Sequence, residues 1–547
     1  MAVAVQLTAQ TPTALWGKAV QGTQGTKVTS QGADIKLAAD GGLYISGAAG
    51  TKTVDDIIRF GNDQIATPET EYMGNGDTGT QNLFIMKVTA DGTPQWTVYS
   101  KNGHALSGSA LMQPVSDGLL VVFGIQHPTK LLTRSVVLVD AAGHVTDLGW
   151  SLAADAKNYH RLVVLKLDAS GALQWMRQVE PDYSSKTEGF GLYGLAVDGS
   201  GNIFVAGRQF VDLTWTKADG TTAVVQASGA DADMMLVKLD KDGYYLGHLK
   251  PEGMLNSSNV RAMQYADGKF YLMGIMEGTA NTTVTLGGKE LTLANAYETA
   301  YLAAVGSDLT VEWARLYDSK DRNFNMQQNS LLITQNAVWL AGMGAISVTT
   351  ATNKDITLGA DMSRQGTLLK FDKTNGTLTD GYLKPLFQTG YFSMFEGEDG
   401  NIYAAGYAGV LTGRRTTAGG LYIDRFNPDD LSAAADSWED LIQTMGSGQR
   451  IVCDADGHLF TLTRTNVIDN ALVGSSQKIV QDYAGYCASV CAFQLPVKPA
   501  VSSGIRSIKT DGQRESDGAW YTLGGQRVSQ PTAKGIYIHH GRKVVVK

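Results

Sequence analysis

The residues of this chain that could do chemistry are three cysteines, eight histidines and a set of Asp-rich turns. Cys453, Cys487 and Cys491 are too few for a disulfide scaffold or a four-thiolate zinc site. Cys487 and Cys491 lie four apart and read as buried thiols. One disulfide among the three is the alternative in an oxidising compartment, and no histidine motif accompanies them to make a nucleophile. The histidines, at 104, 127, 144, 160, 248, 458, 539 and 540, are scattered singly except for His539-His540. No His-Glu-x-x-His, P-loop or Gly-x-Ser-x-Gly motif is present, so each histidine reads as structural or solvated. Asp240-Lys-Asp-Gly243 and Asp454-Ala-Asp-Gly457 have carboxylates spaced for calcium but lack the other ligands and the distal Glu of a binding loop, and read as turns. A glycosidase pair is defined by the distance between two carboxyls, not by their spacing in sequence. No catalytic residue is therefore assigned, and no cofactor and no metal are expected.

Elements must be found that would position any site. Of 547 residues, 43% are apolar and only 18% charged, with 63 Gly and 12 Pro. That composition buries a core and suits short strands joined by tight turns. The formal net charge is −8, and Lys and Arg are scattered until the last few residues, which argues against nucleic acid or an anionic membrane as partner. No run of 18 apolar residues occurs, so no transmembrane segment is expected. Residues 1–10, Met-Ala-Val-Ala-Val-Gln-Leu-Thr-Ala-Gln, read as the end of a signal peptide cut after Ala9, or as an ordinary chain terminus.

One unit recurs along the chain: a turn rich in Asp, Gly or Asn, then an alternating apolar strand closed by Gly. Asp40-Gly-Gly-Leu-Tyr-Ile-Ser-Gly47 is the first copy, and others occupy 117–124, 201–207, 267–274, 336–342, 400–406 and, ending in Thr, 456–463. After each comes an apolar strand, a turn and a strand that often carries Trp, as in Leu162-Val-Val-Leu-Lys-Leu-Asp-Ala-Ser-Gly-Ala-Leu-Gln-Trp175. Asp-Gly and Asn-Gly between apolar runs are hairpin turns. With an inner strand before it, each repeat makes a four-stranded blade that cannot bury both its faces alone. Seven copies predict an all-β propeller of about seven blades. The small residues before each closing Gly are expected to let neighbouring blades approach.

The ends fit a ring. The seventh repeat stops after Val490-Cys-Ala-Phe-Gln-Leu495, and Ala14-Leu-Trp-Gly-Lys-Ala-Val20 supplies the fourth strand it lacks. Ser135 to Trp150 reads as a hairpin inserted in blade two, with the remnant of an eighth blade as the alternative. Long aromatic-bearing insertions at 48–80, 208–230 and 275–298 are candidate binding loops.

Gly201-Asn-Ile-Phe-Val-Ala-Gly207 followed by Asp233-Met-Met-Leu-Val-Lys-Leu-Asp240 resembles the bacterial seven-bladed β-propeller repeat family. That resemblance implies a fold and carries no catalytic residue. Sialidase-type propellers bear a Ser-x-Asp-x-Gly-x-Thr-Trp box. Thr89-Ala-Asp-Gly-Thr-Pro-Gln-Trp96 sets its Gly one residue early, and Asp168 to Trp175 departs too, so both read as turns. At the other end, Trp520-Tyr-Thr-Leu-Gly-Gly-Gln-Arg-Val528, Pro531, Gly535-Ile-Tyr-Ile538 and Lys543-Val-Val-Val-Lys547 resemble the C-terminal sorting domain of the type IX secretion system, in a shortened form. The resemblance implies export through a Gram-negative outer membrane, followed by release or surface anchoring.

The expected organisation is therefore a signal-peptide remnant at 1–10, a propeller at 11–497, a polar linker at 498–517 and a sorting-type β-hairpin tail at 518–547. The expected function is a secreted or cell-surface binding module for a glycan or a protein, more a binder than an enzyme. The tail is its contact with secretion machinery. The rival is a secreted polysaccharide hydrolase or lyase with its site at the ring centre.

Overall fold

In the computed structural model, residues 11–496 are described apart from 24–28, 70–79, 106–109, 127–134, 150–159, 183–188, 295–297, 318–329, 344–347, 350–354, 357–364, 387–388, 409, 413–414, 418–419, 443–449, 466–470, 473–476 and 482–485. In the tail the strands of 520–522, 527–528, 535–539 and 542–546 are described. Residues 1–10, the linker 498–517 and His127 and His540 lie outside the described residues. The chain divides into two compact units, Met1–Pro499 and Ala500–Lys547.

The first unit is a seven-bladed β-propeller, with every blade built on an antiparallel four-stranded core. The inner strands are Ser30–Leu37, Leu111–Val115, Phe190–Val197, Ser257–Ala266, Leu331–Ile333, Thr389–Glu396 and Arg450–Cys453. Each touches the inner strand of the next blade, and the last touches the first. The expected N-terminal closure is present: Thr13–Gln21 pairs with Cys487–Gln494 as the outer strand of blade seven. No helix of the described residues is long and apolar enough to cross a membrane.

The core is distributed around this ring. Seven apolar clusters form, each straddling two consecutive blades. One joins blade seven to blade one through Phe460, Val490, Val20, Ile35 and Phe84. Second strands therefore have both faces covered and lose their alternation: every residue of Leu43–Thr51 is buried. Outer strands such as Pro94–Lys101 are only partly buried.

The Asp-Gly turns are built alike. At Asp198, Oδ1 accepts the N–H groups of Ser200 (2.9 Å) and Asn202 (2.8 Å), while Gly201 takes φ +84 and donates to the Asp198 carbonyl. That left-handed position is where glycine avoids a Cβ penalty.

Turns also lock onto the preceding blade. The ring of Trp16 lies on Gly92, Trp96 on Gly171, Trp175 on Gly243 and Trp313 on Gly376, each Trp from one blade and each Gly from the third–fourth turn of the next. Between blades three and four the pair is exchanged. Gly247 stands where the Trp would be and Leu309, at φ +71, where the Gly would be; Leu309 Cδ1 lies 3.2 Å from the position a Gly247 Cβ would take.

The closing glycines answer to geometry within their own blade. Inner strands carry a bulge between Gly32 and Asp34, Leu192 and Gly194, Val260 and Ala262, and Tyr391 and Ser393. The bulge pushes a carbonyl of the same blade at the glycine: a Cβ on Gly207 would sit 1.9 Å from the Gly191 oxygen, and one on Gly274 1.9 Å from that of Asn259. Same-blade geometry, not approach of a neighbour, excludes a side chain there. Tyr301 and Tyr422 fill the notch and donate to the displaced carbonyls of Asn259 and Gly390, both at 3.0 Å.

The insertions form hairpins that pair with strands of, or just following, the blade before their own. Ile58–Phe60 with Asp63–Ala66 continues from Thr13–Gln21, and Leu213–Thr216 with Thr222–Val225 continues from Leu173–Pro181. Thr283–Leu286 with Lys289–Thr292 adds to Pro251–Glu252. The irregular stretch in blade two behaves the same way, Val137–Val139 pairing with Pro94–Lys101, so it is an inserted hairpin and not an eighth blade. Phe60, Leu213, Trp215 and Leu286 are buried in these extensions.

The second unit is a four-stranded antiparallel sheet in place of the expected hairpin, with Trp520–Thr522 between Arg527–Val528 and Gly535–His539, and Arg542–Val546 at the edge.

Candidate functional site

The cysteines offer no reactive centre. None of the three forms a disulfide; Cys487 and Cys491 are fully buried in one strand, and Cys453 is half-buried with its thiol pushed up to about 12 by burial. Burial likewise raises Cys491. Thiols held protonated are poor nucleophiles.

Histidines are dispersed as well. His104 and His160 flank the Gln126 end of Gly118–Gln126 from either side. Burial and then His104 lower His160 to about 4, and burial lowers His104, whose Nδ1 accepts the Gln81 N–H at 3.2 Å. His248 shares a 2.7 Å hydrogen bond with the Tyr245 hydroxyl. His144 and His458 sit in turns beside Asp140 and Asp454.

Asp454, Asp456 and His458 bring their ligand atoms within 4.8 Å of one another. The grouping follows from the turn: Asp454 Oδ1 accepts the N–H groups of Asp456 (2.9 Å) and His458 (2.8 Å), as Asp140 and Asp240 do in turns of the same form. Asp240-Lys-Asp-Gly243 and Asp454-Ala-Asp-Gly457 thus serve as turns.

What the ring does bring together is a central cavity of about 500 Å³, lined by all seven inner strands. Among the described residues Asp34 is the one carboxylate in its wall, and no histidine lines it. Asp34 is buried and committed: Oδ1 receives Arg450 Nη1 at 2.7 Å and the Ile35 N–H at 3.0 Å, while Oδ2 accepts the Met112 N–H at 2.9 Å. Lys36 Nζ stands 3.7 Å from Oδ1. One anion facing two cations leaves the wall net positive in a chain of net −8. Asp34 also staples three blades, and the same kind of link recurs where Gln264 accepts the Ile333 N–H (3.0 Å) and Ser393 that of Ile451 (3.2 Å).

Bulges place the side chains that the repeat pattern does not foresee. A bulge re-aims the extra residue. In blades three and four those residues are Tyr193 and Arg261, and the Arg261 guanidinium lies 5.1 Å from the centre of the Tyr193 ring. Arg208, next after the closing Gly207, approaches the same ring at 5.8 Å and Phe210 at 4.8 Å. Tyr193 lines the cavity. No motif search finds this cluster; the signal available in sequence was the break in alternation at Gly191-Leu-Tyr-Gly194.

A second, smaller cavity of about 140 Å³ lies between the first turns of blades six and seven, with Glu396, Glu398, Asp399 and Asp454 in its wall. Asp399 there hydrogen-bonds Asn401, Tyr403 and Arg425.

No protein-family model matches the chain, and no curated protein sequence matches it. Among solved structures it is similar to a Dos1 propeller (10% identity, 88% of this chain and 95% of that one, TM-score 0.34). It is also similar to the polysaccharide lyase Uly1 (10% identity, 85% and 90%, TM-score 0.39) and to a Synechocystis apocarotenoid oxygenase (11% identity, 79% and 91%, TM-score 0.34). The fold assignment stands on the sheets and their cyclic contacts.

Proposed function

We propose that this protein is an exported binding module that takes a saccharide in the central cavity of its propeller. One observation carries the reading: the cavity is walled by all seven inner strands and, among the described residues, holds a single carboxylate, already bound by Arg450 and two backbone N–H groups. Hydrolysis by paired carboxyls needs two such groups some 5–10 Å apart, one of them free to give up or take a proton. A cavity whose one described acid is locked in an ion pair is better suited to holding a ligand than to cleaving it.

Export is the second part of the proposal. Residues 518–547 act as a sorting signal of the type IX kind, supported by the Leu523-Gly-Gly-Gln-Arg-Val528 and Gly535-Ile-Tyr537 motifs and the basic, β-branched end. The protein then acts outside the cell or at its outer surface. Expression of the full chain and of a chain ending at 517, each behind a signal peptide of the host, in a host with that secretion system tests this. The full chain is expected in the medium or at the surface and the truncated one in the periplasm; equal export of both refutes it.

The binding reading is tested by a glycan array on the full chain, with product mass spectrometry on every hit. Binding without product is the expected result. New reducing ends or unsaturated sugars would overturn it in favour of a hydrolase or lyase.

A further inference from the structure

Two guanidiniums on one tyrosine, beside the central cavity, are unusual in having nothing to neutralise them. Arg208 and Arg261 both lie on the Tyr193 ring, and their guanidinium carbons are separated by no more than about 11 Å, the sum of the two ring distances. Among the described residues neither makes an ion pair or donates a hydrogen bond, and the Nε of each is buried without an acceptor. Two other arginines of this ring are paired: Arg450 with Asp34, and Arg425 with Asp399 and Asp436. Leaving a buried donor unmet has a cost that an incoming acceptor would remove.

The surroundings favour an anion. Lys36 and Arg450 outnumber Asp34 in the cavity wall, while the acidic residues Glu396, Glu398, Asp399 and Asp454 sit at the first turns of blades six and seven, across the ring from blade three. Arg464 follows the last residue of the seventh repeat as Arg208 follows the third. It stacks on Tyr486 at 4.0 Å, and its Nε too is buried without an acceptor. At the corresponding place in blade six is Tyr407, half-buried and stacked on Phe392 at 5.3 Å. Arginine presents a planar fork that matches a carboxylate or sulfate, and aromatic faces accept sugar rings.

We infer that Arg208 and Arg261, held on Tyr193, form an oxyanion site that selects acidic saccharides, taking the carboxylate of a uronate or the sulfate of a sulfated sugar. This inference rests on the binding reading above and names the ligand class of the same cavity.

Calorimetry on the full chain tests it with three probes: an oligogalacturonate, its methyl ester and a sulfated galactan oligomer of matched length. The acid, the sulfated oligomer or both are expected to bind at least about 10-fold more tightly than the ester, and the stronger of the two names the natural oxyanion. Arg261→Ala and Arg208→Ala should each weaken that binding about 10- to 100-fold and leave binding of the ester unchanged. Lys289→Ala, on a distant hairpin, should change neither, and the melting temperature of each variant reports that the propeller is intact. Because the donors are partly exposed, raising salt should weaken the acid and not the ester. Equal affinity for acid, sulfate and ester overturns the oxyanion site while leaving the binding module standing. Selectivity that survives both arginine variants does the same. Binding of none of the three, with an empty glycan array, overturns the module reading as well.

Discussion

Replacing Gly243 by Ala tests how neighbouring blades are locked. The added Cβ would lie 2.7 Å from the Trp175 ring and 3.0 Å from Arg177 Cγ, and the residue would have to keep φ +83. A non-glycine residue in that left-handed region costs about 1–2 kcal/mol. Forcing a methyl group into a filled contact adds about 1–3 kcal/mol, because an indole held between two blades cannot swing away as a lysine tip could. The sum is about 2–5 kcal/mol. Gly220→Ala is the matched control: its φ is +81, yet nothing lies within 4 Å of its Cβ, so only the backbone cost remains. Urea denaturation of the full chain, followed by fluorescence, should show Gly243→Ala losing at least about 1 kcal/mol more than Gly220→Ala. The excess should vanish in the Trp175→Ala background. Equal losses for the two glycine variants would refute the interlock.

Breaking the buried pair by Asp34→Ala should cost about 3–5 kcal/mol, measured by the same denaturation, since Arg450 loses its buried carboxylate partner; the double change Asp34→Leu with Arg450→Met should cost less than Asp34→Ala alone. Folded His160 is lowered to about 4 by burial and by His104, so unfolding takes up a proton below the ordinary histidine pKa. Stability is therefore full above about pH 6.5 and falls as pH drops towards 4, by up to about 3 kcal/mol from this residue. A pH series of melting curves should show His160→Gln flattening that slope. Thiol titration of the native protein at pH 8 should find little reaction, because Cys453 is pushed up to about 12 and Cys487 and Cys491 are buried. Unfolding should expose all three without any reductant.

Seven blades, their order and the closing strand at Ala14 to Val20 were legible because turn, apolar strand and glycine recur in every copy and each half-unit at the ends completes the other. The turns at Asp168, Asp240 and Asp454 were legible for a local reason: five residues contain their whole hydrogen-bond pattern. The site was not. Asp34, Met112 and Arg450 are joined only by ring closure, since 416 residues separate Asp34 from Arg450. Tyr193 and Arg261 meet because each is the extra residue of a bulge, and a bulge breaks the period-two pattern from which inside and outside are read. Insertions at 48–80, 208–230 and 275–298 looked like free loops because pairing with the preceding blade leaves no trace in their own spacing. Their hairpins bury Phe60, Trp215 and Leu286, although residues 70–79 and 295–297 lie outside what is described. Leu309 in a glycine position made sense only once Gly247 was seen beside it.

A ligand held at the ring centre would shield the inner strands from solvent. Hydrogen exchange on the full chain, with and without saturating acidic saccharide, tests it most directly. Protection is predicted in the inner strands Phe190–Val197 and Ser257–Ala266, around Tyr193 and Arg261. Protection confined to the peripheral hairpins at 58–66, 213–225 and 283–292, with the inner strands unchanged, would contradict it.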